Sequence, residues 1–234
     1  MKLTNLLSLN PFHKTATPQP NYWQLLKVAK PFFAMLAGDE SLKPVEEMAK
    51  ALTQMPASEL VVKHLQNNPG AIAMIGERYI AKPHNLDKLL QYPEESLGHI
   101  YASTMKAKGF SAEDLYTTVN INSDVSYLNA RIGQTHDIWH IITGFDTSDL
   151  GEIGLQAFYL AQFPDPLATM LIANSLIAVT LLIPEELPEL LKAIAKGWEM
   201  GSKAKPLFAQ KWEDNWEKPL TEWQTELNIQ PVAL

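Results

Sequence analysis

Two histidines one helical turn apart are the residues whose types and spacing point most directly to chemistry. His136 and His140 stand at positions i and i+4, so their imidazole rings project from the same face of a helix. A helix uses this spacing to offer two nitrogen ligands to one metal ion. Asp137 lies about 100° further round the helix and three residues before His140, from where its carboxylate can turn toward the same ion.

A fourth candidate ligand lies on the next helix. We expect the first helix to end at Thr143-Gly144, because glycine readily adopts the left-handed conformation that terminates helices. The turn FDTSD that follows supplies N-capping residues, and Glu152 falls in the first turn of the next helix. If the two helices fold back against each other, this carboxylate joins the two histidines and the aspartate in a four-ligand site for a divalent ion.

The absence of cysteine restricts the chemistry that is available. With Cys 0 in 234 residues, thiolate zinc sites, iron–sulfur clusters, disulfides and cysteine nucleophiles are excluded. A metal must therefore be held by histidine and carboxylate side chains, which leaves zinc, iron(II), manganese and magnesium open.

Other interpretations of these residues stay open at this level. Asp149 and Glu152 also fit a capping box, in which the glutamate only returns a hydrogen bond to its helix start. The two histidines can equally be core residues. The His-Asp doublet also resembles HD-type phosphohydrolases, which need a further upstream histidine and a distant aspartate. The candidates for that histidine are His64, His84 and His99.

The rest of the chain predicts an all-α fold around these helices. Apolar residues recur every three or four positions after Pro20, and polar, Pro or Gly breaks separate the segments. The expected helices are about 22–37, 41–54, 57–67, 70–81, 85–91, 95–108, 123–143, 148–163, 166–182, 185–203 and 207–227. Only 115–122 has the composition of a strand, and one strand makes no sheet. We expect a flexible arm over 1–20 and a single all-helical domain, a multi-helix bundle, over 21–234.

The segment 167–183 carries no charged residue. We expect a central buried helix here, and the alternatives are the wall of a lipid cavity and a membrane span. Asn174, Ser175 and Thr180 argue against spanning, as do the acidic residues at both ends. If the segment lines a lipid cavity, the expected contact residues are Met170, Leu171, Asn174, Ile177 and Ala178.

Net charge indicates which partners to expect. The chain carries −7 at pH 7 and only two arginines, Arg78 and Arg131, so it lacks the basic surface of a nucleic-acid-binding protein. Arg131 can pair with a ligand carboxylate or a lipid head group, although an ion pair on the helix surface is the commoner arrangement. Its first twenty residues lack the apolar core of a signal peptide, so we expect a cytoplasmic protein.

The C-terminal region combines aromatic and basic residues. An aromatic stripe on the last expected helix is typical of core packing, with a dimer face or a membrane-surface contact as alternatives. Its members are Phe208, Trp212, Trp216, Trp223 and Leu227. Four nearby lysines form either a solvated helix face or a contact with an anionic membrane. These are Lys203, Lys205, Lys211 and Lys218.

Three separated blocks, in order, resemble one known family. HDIWH, eleven residues and then Glu152 are similar to the HDxxH-x11-E motif of the coenzyme Q biosynthesis protein 4 family, all-helical proteins required for ubiquinone synthesis. Upstream, PEESLGHIY resembles a family segment, and Tyr127-Leu128 with Arg131 stand where the family has a similar group. Downstream, GSKAKPLFAQKWEDNWEKPL resembles a third block. Chain departures from the family pattern are Gly133, Gln134 and Ser202, which replace more charged residues.

The resemblance implies a function that spacing alone does not give. It implies a divalent metal, usually zinc, a long-chain isoprenoid lipid in a hydrophobic channel near the motif, and a homodimer. It also implies that the protein acts at a membrane surface and associates with other quinone-biosynthesis proteins. The activity implied is oxidative decarboxylation at C1 of a prenylated quinone precursor, or else a non-catalytic scaffold role. The implied metal ligands are His136, Asp137, His140 and Glu152.

Overall fold

The structure, a computed structural model, describes residues 20–82, 84–110 and 120–232. Within these ranges the chain forms eleven α-helices and two short 3-10 helices, and its only extended pairing is an isolated bridge between Ser96 and Pro219. The predicted all-α fold is therefore confirmed. The helices are α1 (Tyr22–Leu36), α2 (Leu42–Leu52), α3 (Pro56–Leu65), α4 (Pro69–Glu77), α5 (Leu86–Leu89), α6 (Leu97–Ala107), α7 (Asp124–Thr143), α8 (Asp149–Gln162), α9 (Pro166–Leu182), α10 (Leu187–Lys203) and α11 (Leu220–Glu226).

Capping residues explain why the two helices of the candidate site begin and end where the sequence predicts. Ser123 caps α7 through a capping box, and Ser148 caps α8 by accepting a hydrogen bond from the backbone N–H of Gly151. Between them, Gly144 ends α7 in the left-handed conformation at φ 75°. The capping-box interpretation of Glu152 is wrong, because the cap of α8 is Ser148 and not Asp149.

Two predictions fall largely outside the described residues. The expected N-terminal arm lies there except for its last residue, and so does most of the candidate strand 115–122. The part of that segment that the structure does describe, residues 120–122, is not in a strand.

The predicted helix over 207–227 is wrong as a single element. A 3-10 turn covers Trp212–Asn215, and α11 begins only at Leu220. Pro219 disfavours helical backbone at the preceding residue, which breaks the segment there. The aromatic stripe is nevertheless buried, with Trp212 fully inaccessible and Trp216, the most exposed of the five, at 6%. The core-packing interpretation of that stripe is confirmed.

The main hydrophobic core lies around α7 and α8. Trp139, Phe158 and Tyr159 are at its centre, and helices α3 to α11 and the loops between them contribute apolar side chains around these three. Each such side chain that is fully buried contributes about 1.5–3 kcal/mol. A second, smaller cluster joins α1 and α2, and Leu167 and Met170 of α9 pack against it.

Helices α8 and α10 pack with their backbones in direct contact. A Cβ atom placed on Gly197 would lie 1.9 Å from the carbonyl oxygen of Gly154, and one on Gly201 would lie 2.6 Å from that of Phe158. Only glycine permits so close an approach. The contact fixes the position of α8, and therefore of Glu152, relative to the rest of the bundle.

The apolar helix α9 lies at the surface, so the expectation of a central buried helix is wrong. Only Ala168 and Asn174 of this helix are buried, while Leu181 is 72% exposed and Leu182 68% exposed. An uncharged helix favours burial of at least one face, but its composition does not determine how many other helices pack against it. Nowhere in the described part of the chain is a helix long and apolar enough to cross a membrane.

Candidate metal centre

Three of the four predicted ligands converge at one point between α7 and α8. The Nε2 atoms of His136 and His140 lie 3.2 Å apart. Glu152 places Oε1 at 3.1 Å from Nε2 of His140 and Oε2 at 3.5 Å from Nε2 of His136. Among the described residues, these form the one group of three or more His, Asp or Glu side chains close enough to share a metal ion.

The end of helix α7 fixes the tautomer of His140. Its Nδ1 lies 2.9 Å from the carbonyl oxygen of Phe145, the residue directly after Gly144. Because a carbonyl can only accept, Nδ1 carries the proton and donates it, which frees the Nε2 lone pair of a neutral ring. The left-handed glycine thus turns the chain so that a backbone oxygen prepares His140 as a ligand.

Electrostatics make this cluster attractive to a cation. Burial by itself raises the pKa of Glu152, but hydrogen bonds from the two histidines and their charge outweigh it and hold that pKa at about 2. Burial lowers the pKa of His140, whereas the hydrogen bond and charge of Glu152 raise it, and the net direction is upward. Glu152 is therefore ionised. It is bound by imidazole N–H groups, and a metal ion can take the place of their protons.

Asp137 lies outside this cluster. Its carboxylate Oδ1 faces Nζ of Lys108 at 3.7 Å, and both side chains are about one-third exposed. The step of about 100° round the helix that separates Asp137 from His136 is enough to turn its carboxylate aside. The structure thus brings together His136, His140 and Glu152 and leaves the fourth predicted ligand next to a lysine.

The histidines that the phosphohydrolase interpretation needs do not join the cluster. His64 is exposed on α3, and His99 directs Nδ1 at the carbonyl oxygens of Leu90 and Tyr92, each at 3.1 Å. His84 packs edge-on against the rings of Tyr101 and Trp216. The cluster of described residues therefore lacks the upstream histidine on which that alternative depends.

Arg131 forms an ion pair in the core, so the prediction of an ion pair on the helix surface is wrong. Its Nη1 and Nη2 bind the two carboxylate oxygens of Glu213 at 2.6 and 2.9 Å, and the side chains are only 1% and 6% exposed. Further hydrogen bonds go to Gln134 and to the carbonyl oxygen of Gln210. The guanidinium of Arg131 thus binds Glu213, Gln134 and Gln210 of this chain and does not contact a carboxylate of the metal cluster.

The candidate lipid-binding residues of α9 include one side chain bound to α1 and one that faces solvent. Asn174 donates from Nδ2 to the carbonyl oxygen of Phe32 at 2.8 Å, and Ile177 is 41% exposed. A cavity of about 580 Å³ opens elsewhere, next to Tyr79, His84, Tyr92 and Trp216. Neither the α9 residues nor the three converging ligands line it.

Sequence reasoning missed two residues at the site, Tyr159 and Lys108. The hydroxyl of Tyr159 lies 3.2 Å from Nδ1 of His136. Tyr159 follows Glu152 by seven residues, two helical turns, so it faces the same side of α8 and this periodicity could have identified it. Lys108 is the C-cap residue of α6, and no local pattern relates it to Asp137.

The fold and the site define an all-helical protein with a His-His-Glu cluster on a helical hairpin. More specifically, the chain belongs to the family described as coenzyme Q (ubiquinone) biosynthesis protein Coq4, which matches residues 25–233. The resemblance seen in the sequence is thereby confirmed.

Individual relatives agree with this assignment. The mitochondrial ubiquinone biosynthesis protein COQ4 homolog of Aedes aegypti is 25% identical over 187 residues, 78% of this chain and 67% of its own length. Its counterpart from Clavispora lusitaniae is 30% identical over 189 residues, 77% of this chain and 58% of its own. The chain thus spans only part of the length of these relatives. A crystal structure of a ubiquinone biosynthesis protein from Nostoc punctiforme superposes with a TM-score of 0.79 at 36% identity, covering 87% of this chain and 97% of that chain.

Proposed function

We propose that this protein binds one divalent metal ion through His136, His140 and Glu152 and acts on a prenylated ring precursor in quinone biosynthesis of the ubiquinone type. The observation that carries the proposal is the convergence of three side chains. The two Nε2 atoms lie 3.2 Å apart, and each lies 3.1–3.5 Å from one of the two carboxylate oxygens of Glu152. Family membership supports the biosynthetic role.

The donor set fits a metal ion. Metal–nitrogen bonds of about 2.0–2.1 Å in a tetrahedral site place neighbouring donors about 3.3–3.4 Å apart, close to the separations here. Two imidazole Nε2 atoms that face each other at 3.2 Å also need a proton or a cation between their lone pairs. Two imidazoles favour zinc, iron or manganese over magnesium, which prefers oxygen ligands. We propose zinc, with Asp137 as the fourth ligand once its carboxylate leaves Lys108.

The protein's own residues would hold the substrate next to this centre. A bound divalent ion polarises an oxygen of the substrate, such as a carboxylate or phenol. Lys108, about one-third exposed beside Asp137, places a positive charge at the same edge of the site and can bind an anionic ring substituent. The reaction that we propose is oxidative decarboxylation at ring C1. The carboxyl group leaves as carbon dioxide, a hydroxyl group from water takes its place, and molecular oxygen accepts the two electrons to give hydrogen peroxide.

Metal analysis tests the site directly. We expect one divalent ion per chain in purified protein, and its loss in the His136→Ala, His140→Ala double variant. The matched control is His64→Ala, which removes an exposed histidine outside the cluster and should keep the ion. Wild-type protein that takes up no zinc, iron or manganese, while remaining folded by circular dichroism, would contradict the proposal.

Turnover is a separate question. Zinc-, iron- and manganese-loaded protein should convert a prenylated hydroxybenzoate in the presence of oxygen, with carbon dioxide as a product. Glu152→Gln should abolish this conversion, and Glu59→Gln, on the exposed face of α3, should not. An unchanged substrate with every metal would refute catalysis and leave the scaffold function.

A specific observation favours that second candidate, a lipid-binding scaffold at a membrane surface. Helices α1, α9 and α10 expose large apolar side chains, and α9 contacts both of the others. Aromatic and aliphatic residues of this kind insert at a membrane interface. The most exposed are Tyr22, Trp23, Leu25, Phe33, Leu181, Leu182, Leu191 and Trp198.

Vesicle co-sedimentation tests the scaffold candidate. We expect wild-type protein to bind vesicles of phosphatidylcholine with an anionic lipid, and the Leu181→Ser, Leu182→Ser double variant to bind several-fold less. Ile72→Ser, at an exposed position of α4, is the control. Binding that is unchanged in the double variant contradicts this surface. A mass twice that of one chain, lost in the same variant, would instead assign the surface to a homodimer.

A further inference from the structure

We infer that Tyr159 is a positioning residue, whose hydroxyl fixes the ring orientation and the tautomer of His136 so that Nε2 faces the metal. The inference rests on the proposed metal centre. Its basis is the 3.2 Å separation between Oη of Tyr159 and Nδ1 of His136, made by a tyrosine that is only 2% exposed.

Packing holds the Tyr159 hydroxyl in place. Its ring stacks against Trp139, with centroids 4.6 Å apart and planes at 15°, and lies nearly parallel to His136 at 6.2 Å and 11°. Phe163 closes a third side edge-on at 5.9 Å. The ring is thus held between Trp139 and His136 of α7 and Phe163 at the end of its own helix, and these contacts restrict where Oη can lie.

The direction of the hydrogen bond decides whether His136 can bind a metal. If Tyr159 donates to Nδ1, a neutral ring carries its proton on Nε2 and has no lone pair for the ion. If Nδ1–H donates to Oη, the Nε2 lone pair is free. Metal binding is compatible only with the second arrangement, so in the loaded site Tyr159 acts as the acceptor.

In the metal-bound site, both histidines must donate a hydrogen bond from Nδ1, and their acceptors differ. His140 donates to a backbone carbonyl, which accepts in every state, whereas His136 depends on a side-chain hydroxyl that can also donate. The hydroxyl therefore gives α8 a second contribution to the centre besides Glu152. Partners of this kind change metal affinity by about 10–100-fold in other proteins.

Zinc affinity of Tyr159→Phe tests this inference, since the substitution removes only the hydroxyl. Competition with a chromogenic chelator should give a dissociation constant about 10–100-fold above that of wild type. The matched control is Tyr127→Phe: Tyr127 is fully buried, and its hydroxyl donates to the carbonyl oxygen of Tyr79 at 3.0 Å, away from the cluster. That variant should bind zinc as wild type does.

Spectroscopy separates positioning from a merely structural role. The cobalt(II)-loaded Tyr159→Phe protein should show altered d–d bands, while a role in stability alone would lower the melting temperature and leave the bands unchanged. Equal affinity and equal bands in variant and wild type overturn the inference but leave the metal centre standing. Wild-type protein that binds neither zinc nor cobalt overturns both.

A measurement on wild-type protein covers the case in which Tyr159→Phe does not fold. Imidazole ¹⁵N NMR of the zinc-loaded protein should show His136 protonated at Nδ1 and bound through Nε2. Zinc bound through Nδ1, or a proton on Nε2, would refute the assignment.

Discussion

Two buried histidines in different regions of this molecule have their pKa values shifted in opposite directions. At His84, burial lowers the pKa, and the nearby Glu213 cannot reverse this because Arg131 opposes its charge. At His140, burial also lowers the pKa, but the hydrogen bond and charge of Glu152, followed by Phe145 and Asp137, raise it, and the net direction is upward. The two imidazoles are of the same type, so the difference lies in the carboxylate next to each.

The two carboxylates differ in their cation partners: Glu213 belongs to a structural ion pair, whereas Glu152 belongs to a site that can bind a cation. Glu213 has both oxygens bound by the guanidinium of Arg131, so its charge is already balanced inside the core. Glu152, among the described residues, has only the two histidines as ion-pair partners. A carboxylate that lacks a permanent cation, held against two imidazoles, is what makes the second region a candidate metal centre.

The largest expected effect comes from breaking the balanced pair. Arg131→Met should lower the free energy of unfolding by about 3–5 kcal/mol, because Glu213 stays buried without its partner. Urea unfolding of the metal-free protein measures this loss. The Arg131→Met, Glu213→Leu double variant should recover most of it, since no charge is then left unpaired. A loss below about 1 kcal/mol in the single variant would mean that Glu213 reaches solvent.

Removing the charge at the other carboxylate should affect metal binding more than folding. Glu152→Gln keeps the size of the side chain but should weaken zinc binding by about 100-fold, equivalent to about 2.7 kcal/mol. Chelator competition measures the affinity, and Glu59→Gln serves as the control. Wild-type affinity in Glu152→Gln would remove this residue from the ligand set and with it the contrast between the two carboxylates.

The two histidines should give stability slopes of opposite sign. The folded-state pKa of His84 lies below the unfolded value of 6.5, so its contribution is complete above pH 6.5 and is lost as pH falls below it. The slope from one such group is at most about 1.4 kcal/mol per pH unit. For His140 in metal-free protein, with a raised pKa, the contribution is complete below 6.5 and is lost as pH rises.

Urea unfolding of metal-free protein between pH 7.5 and 5.0, reported as free energy, measures these slopes. His84→Gln should remove the loss of stability on the acid side, while His64→Gln, at an exposed position, should retain it. An unchanged slope in His84→Gln would show that this ring is not kept neutral by burial.

The smallest effect is expected at Asp137. Asp137→Asn should weaken zinc binding by about tenfold or less, about 1.4 kcal/mol, because its carboxylate starts outside the cluster and beside Lys108. Lys108→Met should make Asp137 freer to turn and leave the affinity equal or higher. A loss in Asp137→Asn as large as that in Glu152→Gln would place it among the ligands from the start.

Short-range patterns predicted the part of the site that α7 and α8 build. The i, i+4 spacing of His136 and His140 and the left-handed Gly144 are local, and they brought both rings to the hairpin where Glu152 meets them. The sequence did not predict that Asp137 would face Lys108, because that contact depends on how α6 packs.

Contacts over long sequence distances explain what remained unpredicted. Arg131 and Glu213 are 82 residues apart, and nothing near either residue indicates the other. The surface position of α9 was missed for a similar reason. The lack of charge is a property of the helix's own residues, whereas its burial depends on which other helices pack against it. Pro219, by contrast, was a local signal for the break in the last predicted helix.

The backbone contact between α8 and α10 at Gly197 and Gly201 has a consequence for local unfolding. Because the two backbones touch at these glycines, side-chain rotamer changes cannot loosen the contact there, and we expect the two helices to open together as one cooperative unit. Opening of α10, which carries no metal ligand, would then carry Glu152 away from the histidines. Metal release would then depend on the local opening of a helix that holds no ligand, and exchange of the α10 amide hydrogens would report that opening.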